Sequence, residues 1–279
     1  MFSDVLLTVD YDRTLTGPDG TIPRANLEAI SYFMENGGTF TVNTGRSIPM
    51  IREIRNTVPV NAPWLLYNGS AAYDMGTDSM TFCHEIQADL WKLIPEVVER
   101  FPDMTVEFQG PKAHYRFRQE DPMWDALCDS SDCARDVADP RKDMGPFLKF
   151  ALYGTIRSPK ITDMFTGSRE ELQRIKQVRQ QLLETYGDTV EVFHSAARIL
   201  DVHAKGVSKG RSAQELKAQL GKKILVCVGD GENDVPMLQD ADFAFCPGDS
   251  VVADRFPPVC SCGEGAVAQV IRREIPKII

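Results

Sequence analysis

Two acidic residues follow directly after an apolar run close to the start of the chain. The run Val5–Val9 has the length and composition of a buried strand, and Asp10 and Asp12 come next. Side chains at positions i and i+2 of an extended segment face the same way, so one divalent cation could bind both carboxylates. Taken alone, the segment could equally be a turn with two solvated aspartates.

A second apolar run, residues 224–228, also ends in acidic residues. Asp230 and Asp234 follow it, and the residues around Asp234 have the pattern of a helix cap and first turn. If the two apolar runs are neighbouring strands of a parallel sheet, both pairs of aspartates converge on an oxygen-rich pocket suited to Mg²⁺. A surface turn is the alternative, but a turn needs no such concentration of acid beside a buried strand.

Two shorter segments carry groups that bind phosphate. Thr44, Gly45 and Arg46 follow the run 40–43 and offer a hydroxyl, a flexible backbone amide and a guanidinium. Lys209 opens an amphipathic helix, and its ammonium could neutralise a phosphoryl group. Taken alone, this lysine could be a solvated surface charge. The two segments gain meaning from their position relative to the acidic pairs.

Together and in order, these segments resemble the motifs of the haloacid dehalogenase superfamily of phosphatases, most closely its Cof-like branch. The pattern Gly-Asp-Gly-x-Asn-Asp-x-x-Met-Leu is the most specific of them. The segments that carry the resemblance are residues 10–14, 44–46, 68–69, 207–210 and 229–238.

Two positions depart from the pattern of that family. Arg13 stands where a glycine is usual after the second aspartate, and Pro247–Ser250 stands where Asn-Ala is usual. The first departure changes the loop beside the predicted nucleophile. The second changes part of the predicted rim of the substrate site.

The resemblance implies phosphoryl transfer through an aspartyl-phosphate. Asp10 would be the nucleophile, while Asp12 would protonate the leaving oxygen and then activate water. Thr44 and Lys209 would hold the phosphoryl oxygens and stabilise the charge that spreads over them.

The resemblance also implies a metal ion and further contacts to the substrate. Mg²⁺ would offset the repulsion between an anionic nucleophile and an anionic ester. Its implied ligand set is Asp10, the main-chain carbonyl of Asp12, Asp230 and Asp234. The remaining implied substrate contacts are Gly45, Arg46, Asn68 and Asn233.

Composition restricts the class of partner. The chain has 279 residues with 43% apolar content, enough for two domains, and a formal net charge of −9. An acidic chain without a basic stripe argues against nucleic-acid binding. No apolar stretch approaches about 18 residues, and the chain begins directly with a strand, so we predict no membrane span and a cytoplasmic location. The expected partner is a small-molecule phosphate ester.

The order of elements predicts an α/β fold with a Rossmann-like parallel sheet core and an inserted α+β cap domain. Strands and helices alternate as a βαβαβ series in the first part of the chain. The predicted catalytic core comprises residues 1–83 and 199–279, and the predicted cap comprises residues 84–198. A cap of this kind would contact the organic part of the substrate. Candidate residues for that contact are His114, Arg116 and His194, each of which could equally be an ordinary residue on the surface of a strand.

These observations predict a Mg²⁺-dependent phosphatase, a phosphoric monoester hydrolase, acting on a small phosphorylated metabolite such as a sugar phosphate. One alternative is a phosphomutase, which would return the phosphoryl group to a sugar instead of to water. Another is a metabolite-binding protein without turnover on the same scaffold.

Overall fold

The computed structural model describes residues 1–118, 134–154 and 166–279. The described chain forms two compact units, each discontinuous in sequence. The first unit comprises Met1–Gly45, Ile54–Cys83 and Ser208–Ile279. The second unit comprises Arg46–Glu53 and His84–Val207.

The elements below are named in chain order. The strands are β1 Val5–Val9, β2 Thr39–Val42, β3 Trp64–Leu66, β4 Ala71–Asp74, β5 Ser79–Cys83, β6 Thr105–Gln109, β7 His114–Arg116, β8 Arg135–Val137, β9 Lys149–Tyr153, β10 Val190–Ala196, β11 Ile199–Ala204, β12 Ile224–Val228 and β13 Phe243–Phe245. The α-helices are α1 Arg24–Glu35, α2 Ile48–Ile51, α3 Leu90–Arg100, α4 Arg169–Tyr186, α5 Lys209–Gln219, α6 Val235–Asp240 and α7 Ala266–Gln269. Short helical turns occupy Tyr11–Leu15, Tyr67–Gly69, Glu232–Asp234, Cys262–Glu264, Val270–Glu274 and Ile275–Lys277. Among the described residues, no helix has the length and apolar character needed to cross a bilayer.

The first unit is built on a parallel sheet with the strand order β13–β12–β1–β2. β1 is central, with Val9 opposite Val228 of β12 and Val42 of β2. Every residue of β1 and β2 is buried, including Thr8, Thr39 and Thr41, as expected for interior strands of a parallel sheet. Because the strands are parallel, the carboxyl ends of β1, β2 and β12 meet at one edge of the sheet. The predicted parallel-sheet α/β core is confirmed.

The third strand of the predicted parallel series belongs mainly to a different sheet. Trp64–Leu66 pairs antiparallel with β4, which in turn pairs antiparallel with β5. An isolated parallel bridge between Asn43 and Leu65 joins β3 to the parallel sheet, and the Thr44 N–H donates to the Leu65 carbonyl at 2.9 Å. The short strand thus extends the parallel edge just where the predicted phosphate-binding segment begins.

The second unit is built on a six-stranded sheet with the order β10–β11–β9–β6–β7–β8. Neighbouring strands are antiparallel except β7 and β8. Alternate side chains, such as Phe108, Phe150 and Val202, pack with α3 and α4 into a hydrophobic core. The residues between them, such as Glu107 and Asp201, lie on the opposite face and are also buried. Helices on one face of a largely antiparallel sheet make this the predicted α+β unit.

The C-terminal boundary of the second unit differs from the predicted range 84–198. Residues 199–204 form β11, which is hydrogen-bonded to β10 on one side and to β9 on the other. These pairings place β11 inside the six-stranded sheet, so the expectation that the core resumes at residue 199 is corrected. The second unit continues to Val207, and it also includes Arg46–Glu53, which the sequence assigns to the core.

Candidate functional site

Three aspartates meet at the carboxyl edge of the parallel sheet in the first unit. Asp10 directly follows β1, and its N–H donates to the Val228 carbonyl at 2.9 Å. Asp230 and Asp234 follow β12. One carboxylate oxygen from each of the three lies within 4.8 Å of the other two. The structure therefore brings together the carboxylates of three of the four aspartates for which the sequence predicts a metal site.

Lys209 lies between two of these aspartates. Its Nζ is 2.6 Å from Asp10 Oδ1 and 2.6 Å from Asp234 Oδ1, and its side chain is fully buried. Burial alone would lower the pKa of Lys209, but the two carboxylates reverse that effect and hold the pKa above its ordinary value. Lys209 is therefore an ammonium that neutralises part of the acidic cluster, and not a solvated surface charge.

The position of Lys209 follows from how its helix begins. Ser208 is the cap of α5, and its Oγ accepts a hydrogen bond from the Arg211 N–H at 3.1 Å. Asn43, at the end of β2, donates from Nδ2 to the Lys209 carbonyl at 2.9 Å. These contacts fix the first turn of α5 and direct its first residue into the cluster.

Asp234 is held by backbone as well as by the lysine. Its Oδ2 accepts hydrogen bonds from the N–H groups of Asp230, at 3.0 Å, and Gly231, at 2.9 Å. A Cβ on Gly229 would lie 2.6 Å from the Cβ of Asp234, so this approach of the loop requires a glycine. Three N–H donors already face the Asp234 carboxylate. Its geometry suits orientation of Lys209 and of the loop that carries Asp230.

Asp230 has fewer partners and lies closer to solvent. Thr14 Oγ1 donates to its Oδ1 at 3.1 Å, and Arg13 Nε lies 4.0 Å from its Oδ2. Burial, and then the charge of Asp234, raises the pKa of Asp230 to about 7. The pKa of Asp10 is also raised well above its usual range, first by burial and then by its acidic neighbours, although Lys209 opposes the shift. Three carboxylates around one ammonium carry an excess of negative charge.

This excess of negative charge makes the cluster a candidate site for a cation. Carboxylate oxygens are the ligands preferred by Mg²⁺, and the cluster offers three of them within reach of one ion. A divalent cation would also supply the charge that Lys209 alone does not. The residues present therefore fit a hard divalent metal, with Asp10 and Asp230 as the more accessible side chains.

Asp12 lies on the turn after Asp10 and outside the three-carboxylate cluster. It is half-buried, and its charge contributes to the raised pKa of Asp10. The turn is made by Arg13, which adopts a positive φ of 60°. A side chain at positive φ costs about 1 kcal/mol, and here it places the guanidinium near Asp230.

The predicted substrate-binding residues of the first unit form a second group. The Asn68 N–H donates to the Thr44 carbonyl at 3.0 Å, and Asn233 Nδ2 donates to Asn68 Oδ1 at 3.2 Å. A Cβ on Gly45 would lie 2.9 Å from Asn68 Oδ1, so the glycine lets the two segments approach. Asn68 itself has a positive φ of 52°. Arg46, the remaining predicted contact, belongs to the second unit.

Two residues of this site were not identified from the sequence. Thr14 supports Asp230, and Asn43 supports Lys209. Both had a signal, since Thr14 closes the segment that begins with Asp10 and Asn43 directly precedes Thr44. Their roles depend on contacts between distant parts of the chain, which spacing alone does not define.

The chain matches known proteins along most of its length. A family model described as haloacid dehalogenase-like hydrolase matches residues 7–251. An HMP-PP phosphatase from Yersinia enterocolitica is 28% identical over 235 residues, covering 84% of this chain and 80% of that protein. A 5-amino-6-(5-phospho-D-ribitylamino)uracil phosphatase from Escherichia coli is 25% identical over 259 residues, covering 89% of this chain and 88% of that protein.

The same fold occurs among solved structures. The crystal structure of a haloacid dehalogenase-like hydrolase from Bacteroides thetaiotaomicron matches with a TM-score of 0.77 at 20% sequence identity. The match covers 96% of this chain and 98% of that chain. The likeness therefore includes both the parallel-sheet unit and the unit with the six-stranded sheet.

Proposed function

The chain belongs to the haloacid dehalogenase-like hydrolases and is a phosphoric monoester hydrolase, and from that premise we propose a Mg²⁺-dependent reaction through an aspartyl-phosphate on a small phosphorylated metabolite. The observation that carries the proposal is the buried contact of 2.6 Å between Lys209 Nζ and Asp10 Oδ1 inside the three-carboxylate cluster. This contact orients the carboxylate, and Lys209 opposes the effect of burial by favouring the anionic form that a nucleophile needs.

In the first half of the reaction, Asp10 attacks phosphorus and the bond from phosphorus to the ester oxygen breaks. Asp12 donates a proton to the departing oxygen. In the second half, Asp12 takes a proton from water, which attacks the aspartyl-phosphate and releases inorganic phosphate together with the free Asp10 carboxylate. Lys209 and Thr44 stabilise the negative charge on the phosphoryl oxygens in both halves.

The residues that would hold Mg²⁺ are Asp10, the main-chain carbonyl of Asp12, and Asp230, with Asp234 fixing the loop of Asp230. When bound, the ion supplies positive charge that offsets the repulsion between carboxylate and phosphate. The raised pKa of Asp230, about 7, supports this assignment because the carboxyl retains a proton where no cation balances it.

The substrate contacts that we propose are Thr44, Gly45, Arg46, Asn68 and Asn233. The contact between Asn68 and Asn233 supports a shared role for these segments. The second unit would be the inserted cap domain that selects the organic part of the substrate. Relatives named as phosphatases of small phosphorylated compounds support that substrate class, with a sugar phosphate as one candidate. The cytoplasmic location stays a prediction.

The test is phosphate release from a panel of phosphorylated metabolites, with and without Mg²⁺. We expect turnover by the wild-type chain that requires Mg²⁺ and is lost in Asp10→Asn. The matched control is Asp4→Asn, because Asp4 is half exposed and pairs with Lys223 at the surface. Activity that persists in Asp10→Asn would contradict the proposed nucleophile.

Further measurements distinguish a hydrolase from the two alternatives that the sequence left open, a phosphomutase and a binding protein. In water labelled with ¹⁸O, a hydrolase incorporates the label into inorganic phosphate. A phosphomutase instead yields an isomeric sugar phosphate without the label. A binding protein would shift its melting temperature with the ligand and release no phosphate.

A further inference from the structure

A serine, a histidine and a glutamate form a buried chain of polar contacts in the second unit. Ser47 Oγ lies 2.7 Å from His114 Nε2, and His114 Nδ1 lies 2.7 Å from Glu107 Oε1. Each of the three residues is at most 1% exposed. This chain connects the short segment 46–53 with strands β6 and β7. Because Ser47 is fully buried, it has no access to a substrate, and a nucleophilic role is excluded.

The glutamate end of the chain is fixed by further partners. Glu107 Oε2 accepts hydrogen bonds from the Tyr153 hydroxyl at 2.8 Å and from Gln109 Nε2 at 3.3 Å. Burial alone would raise the pKa of Glu107, but His114, Arg135 and Tyr153 hold it at about 2. The carboxylate is therefore ionised at neutral pH, and its Oε1 lies in ion-pair contact with His114 Nδ1.

The serine end of the chain caps a helix. Ser47 is the cap residue of α2, and its Oγ accepts a hydrogen bond from the Met50 N–H at 3.4 Å. The same Oγ lies 2.7 Å from His114 Nε2, within hydrogen-bond distance. These two contacts of the Ser47 hydroxyl tie the start of α2 to the six-stranded sheet.

A buried ionic network of this kind is poor as a source of stability. Removing charges from water costs several kcal/mol per ion. Three apolar side chains of equal volume would stabilise the folded state as much or more. What the network provides is a defined orientation for the residues at its ends. Arg46 directly precedes Ser47, and it groups with the second unit whereas Thr44 and Gly45 group with the first.

We propose that His114 is a positioning residue: it ties Ser47 to Glu107 and thereby fixes the placement of Arg46 for its contact with the substrate. This role rests on the proposed function, in which Arg46 binds the phosphate ester. It also corrects the expectation that His114 itself lines the substrate pocket, because the side chain is 2% exposed and directed at Ser47 and Glu107.

Two conservative variants of His114 test its contact with Ser47 and its contact with Glu107 separately. In His114→Gln the terminal amide group occupies the place of Nε2 and retains a partner for Ser47. In His114→Asn the amide occupies the place of Nδ1 and retains only a partner for Glu107. His203→Asn is the matched control, since His203 is also fully buried in the same sheet but lies on β11, separated from β7 by β9 and β6.

The kinetic test uses a substrate identified for the wild-type chain. We expect His114→Asn to raise KM about 10-fold with a smaller change in kcat, since binding by a misplaced Arg46 is weakened. Arg46→Ala should raise KM as well, and the double variant should resemble Arg46→Ala alone. His114→Gln should stay close to wild type, and His203→Asn should lower stability without raising KM. Additive effects of the two substitutions on KM would overturn the proposal.

A second measurement does not depend on activity. Hydrogen exchange should accelerate about 10-fold at the amides of Met50 and Ile51 in His114→Asn, because both amides donate to Ser47. Exchange there should stay slow in His114→Gln and in His203→Asn. If exchange is unchanged in His114→Asn, or equally accelerated in His203→Asn, the proposal that His114 connects Ser47 to Glu107 is wrong. If the wild-type chain releases phosphate from no ester, the proposed function is wrong. The exchange result still shows whether His114 connects Ser47 to Glu107.

Discussion

Lys209 should contribute to both stability and turnover, because it is the buried ammonium between Asp10 and Asp234. We expect Lys209→Met to lower the free energy of unfolding by about 3–5 kcal/mol, since it leaves buried carboxylates without that partner. Turnover should fall by about 10²–10³ through loss of charge stabilisation. Urea titration in the absence of Mg²⁺ and phosphate release measure the two effects.

The control for this substitution is Lys217→Met. Lys217 forms an ion pair of 2.7 Å with Asp242, whose side chain is 43% exposed. Its loss should cost about 1 kcal/mol or less. Equal costs for the two variants would show that burial of Lys209 does not matter.

Asp230 should give stability an unusual dependence on pH when Mg²⁺ is absent. Its pKa is about 7 in the folded chain, raised by burial and then by Asp234, against an ordinary value of 3.8. Between these values the folded state holds a proton that the unfolded state has released, so stability decreases as pH rises through this window. The slope from this group is at most about 1.4 kcal/mol per pH unit.

Unfolding at a series of pH values measures this contribution. The slope should weaken in Asp230→Asn, and also at saturating Mg²⁺, since the cation takes the place of the proton. If the free energy of unfolding rises with pH in the wild-type chain as it does in Asp230→Asn, the pKa of Asp230 is not raised.

At the scale of residues, the sequence predicted the acidic cluster better than its supports. Asp10 and Asp230 end buried strands, and that pattern is local. The contact of Asn43 with Lys209 joins residues 166 positions apart, and no local pattern specifies it. Burial of His114 was also missed, because a histidine in a short strand has the same sequence whether it faces a pocket or a partner.

Gly69 controls how the turn after β3 approaches the start of α5. Its φ is +97°, and an added Cβ would lie 2.3 Å from the Ser208 carbonyl oxygen. Gly69→Ala must therefore move the cap of the helix that carries Lys209, and we expect it to reduce both stability and turnover. The cost should exceed that of backbone strain alone by about 1–3 kcal/mol.

The matched control for Gly69 is another glycine with positive φ in open space. Gly221 has a φ of +62°, and an added Cβ would meet nothing within 4 Å. Gly221→Ala should cost about 1 kcal/mol from strain and leave turnover unchanged. Chemical denaturation of both variants measures the difference, and equal losses would show that close approach to Ser208 is unimportant.

At the scale of elements, strands were predicted more reliably than their partners. Residues 199–203 are recognisable as a strand, but only pairing with β9 and β10 shows which sheet contains it. Helix α2 covers only Ile48–Ile51, and its start is defined by Ser47, which also contacts His114. In both cases the missing information lies in contacts between segments that are distant in sequence.

At the scale of the whole molecule, each of the two units contains a hydrophobic core of its own among the described residues. One core contains residues of the parallel-sheet unit such as Leu6, Leu225 and Met237. The other contains residues of the second unit such as Phe150 and Val178. Cooperative unfolding follows a shared core, so we predict a separate thermal transition for each unit.

Mg²⁺ should act on one of these transitions. All three clustered carboxylates belong to the parallel-sheet unit, so binding stabilises that unit by about 2.7 kcal/mol at a concentration one hundred times the Kd. Calorimetry should show that its transition moves to higher temperature with Mg²⁺ and does not move in Asp230→Asn. Phe150→Ala, which removes a ring that is 1% exposed, should lower the other transition, at a cost of about 3–5 kcal/mol. A single transition that responds both to Mg²⁺ and to Phe150→Ala would contradict this prediction, because it would show that the two units unfold together. The cation would then stabilise the second unit as strongly as the first.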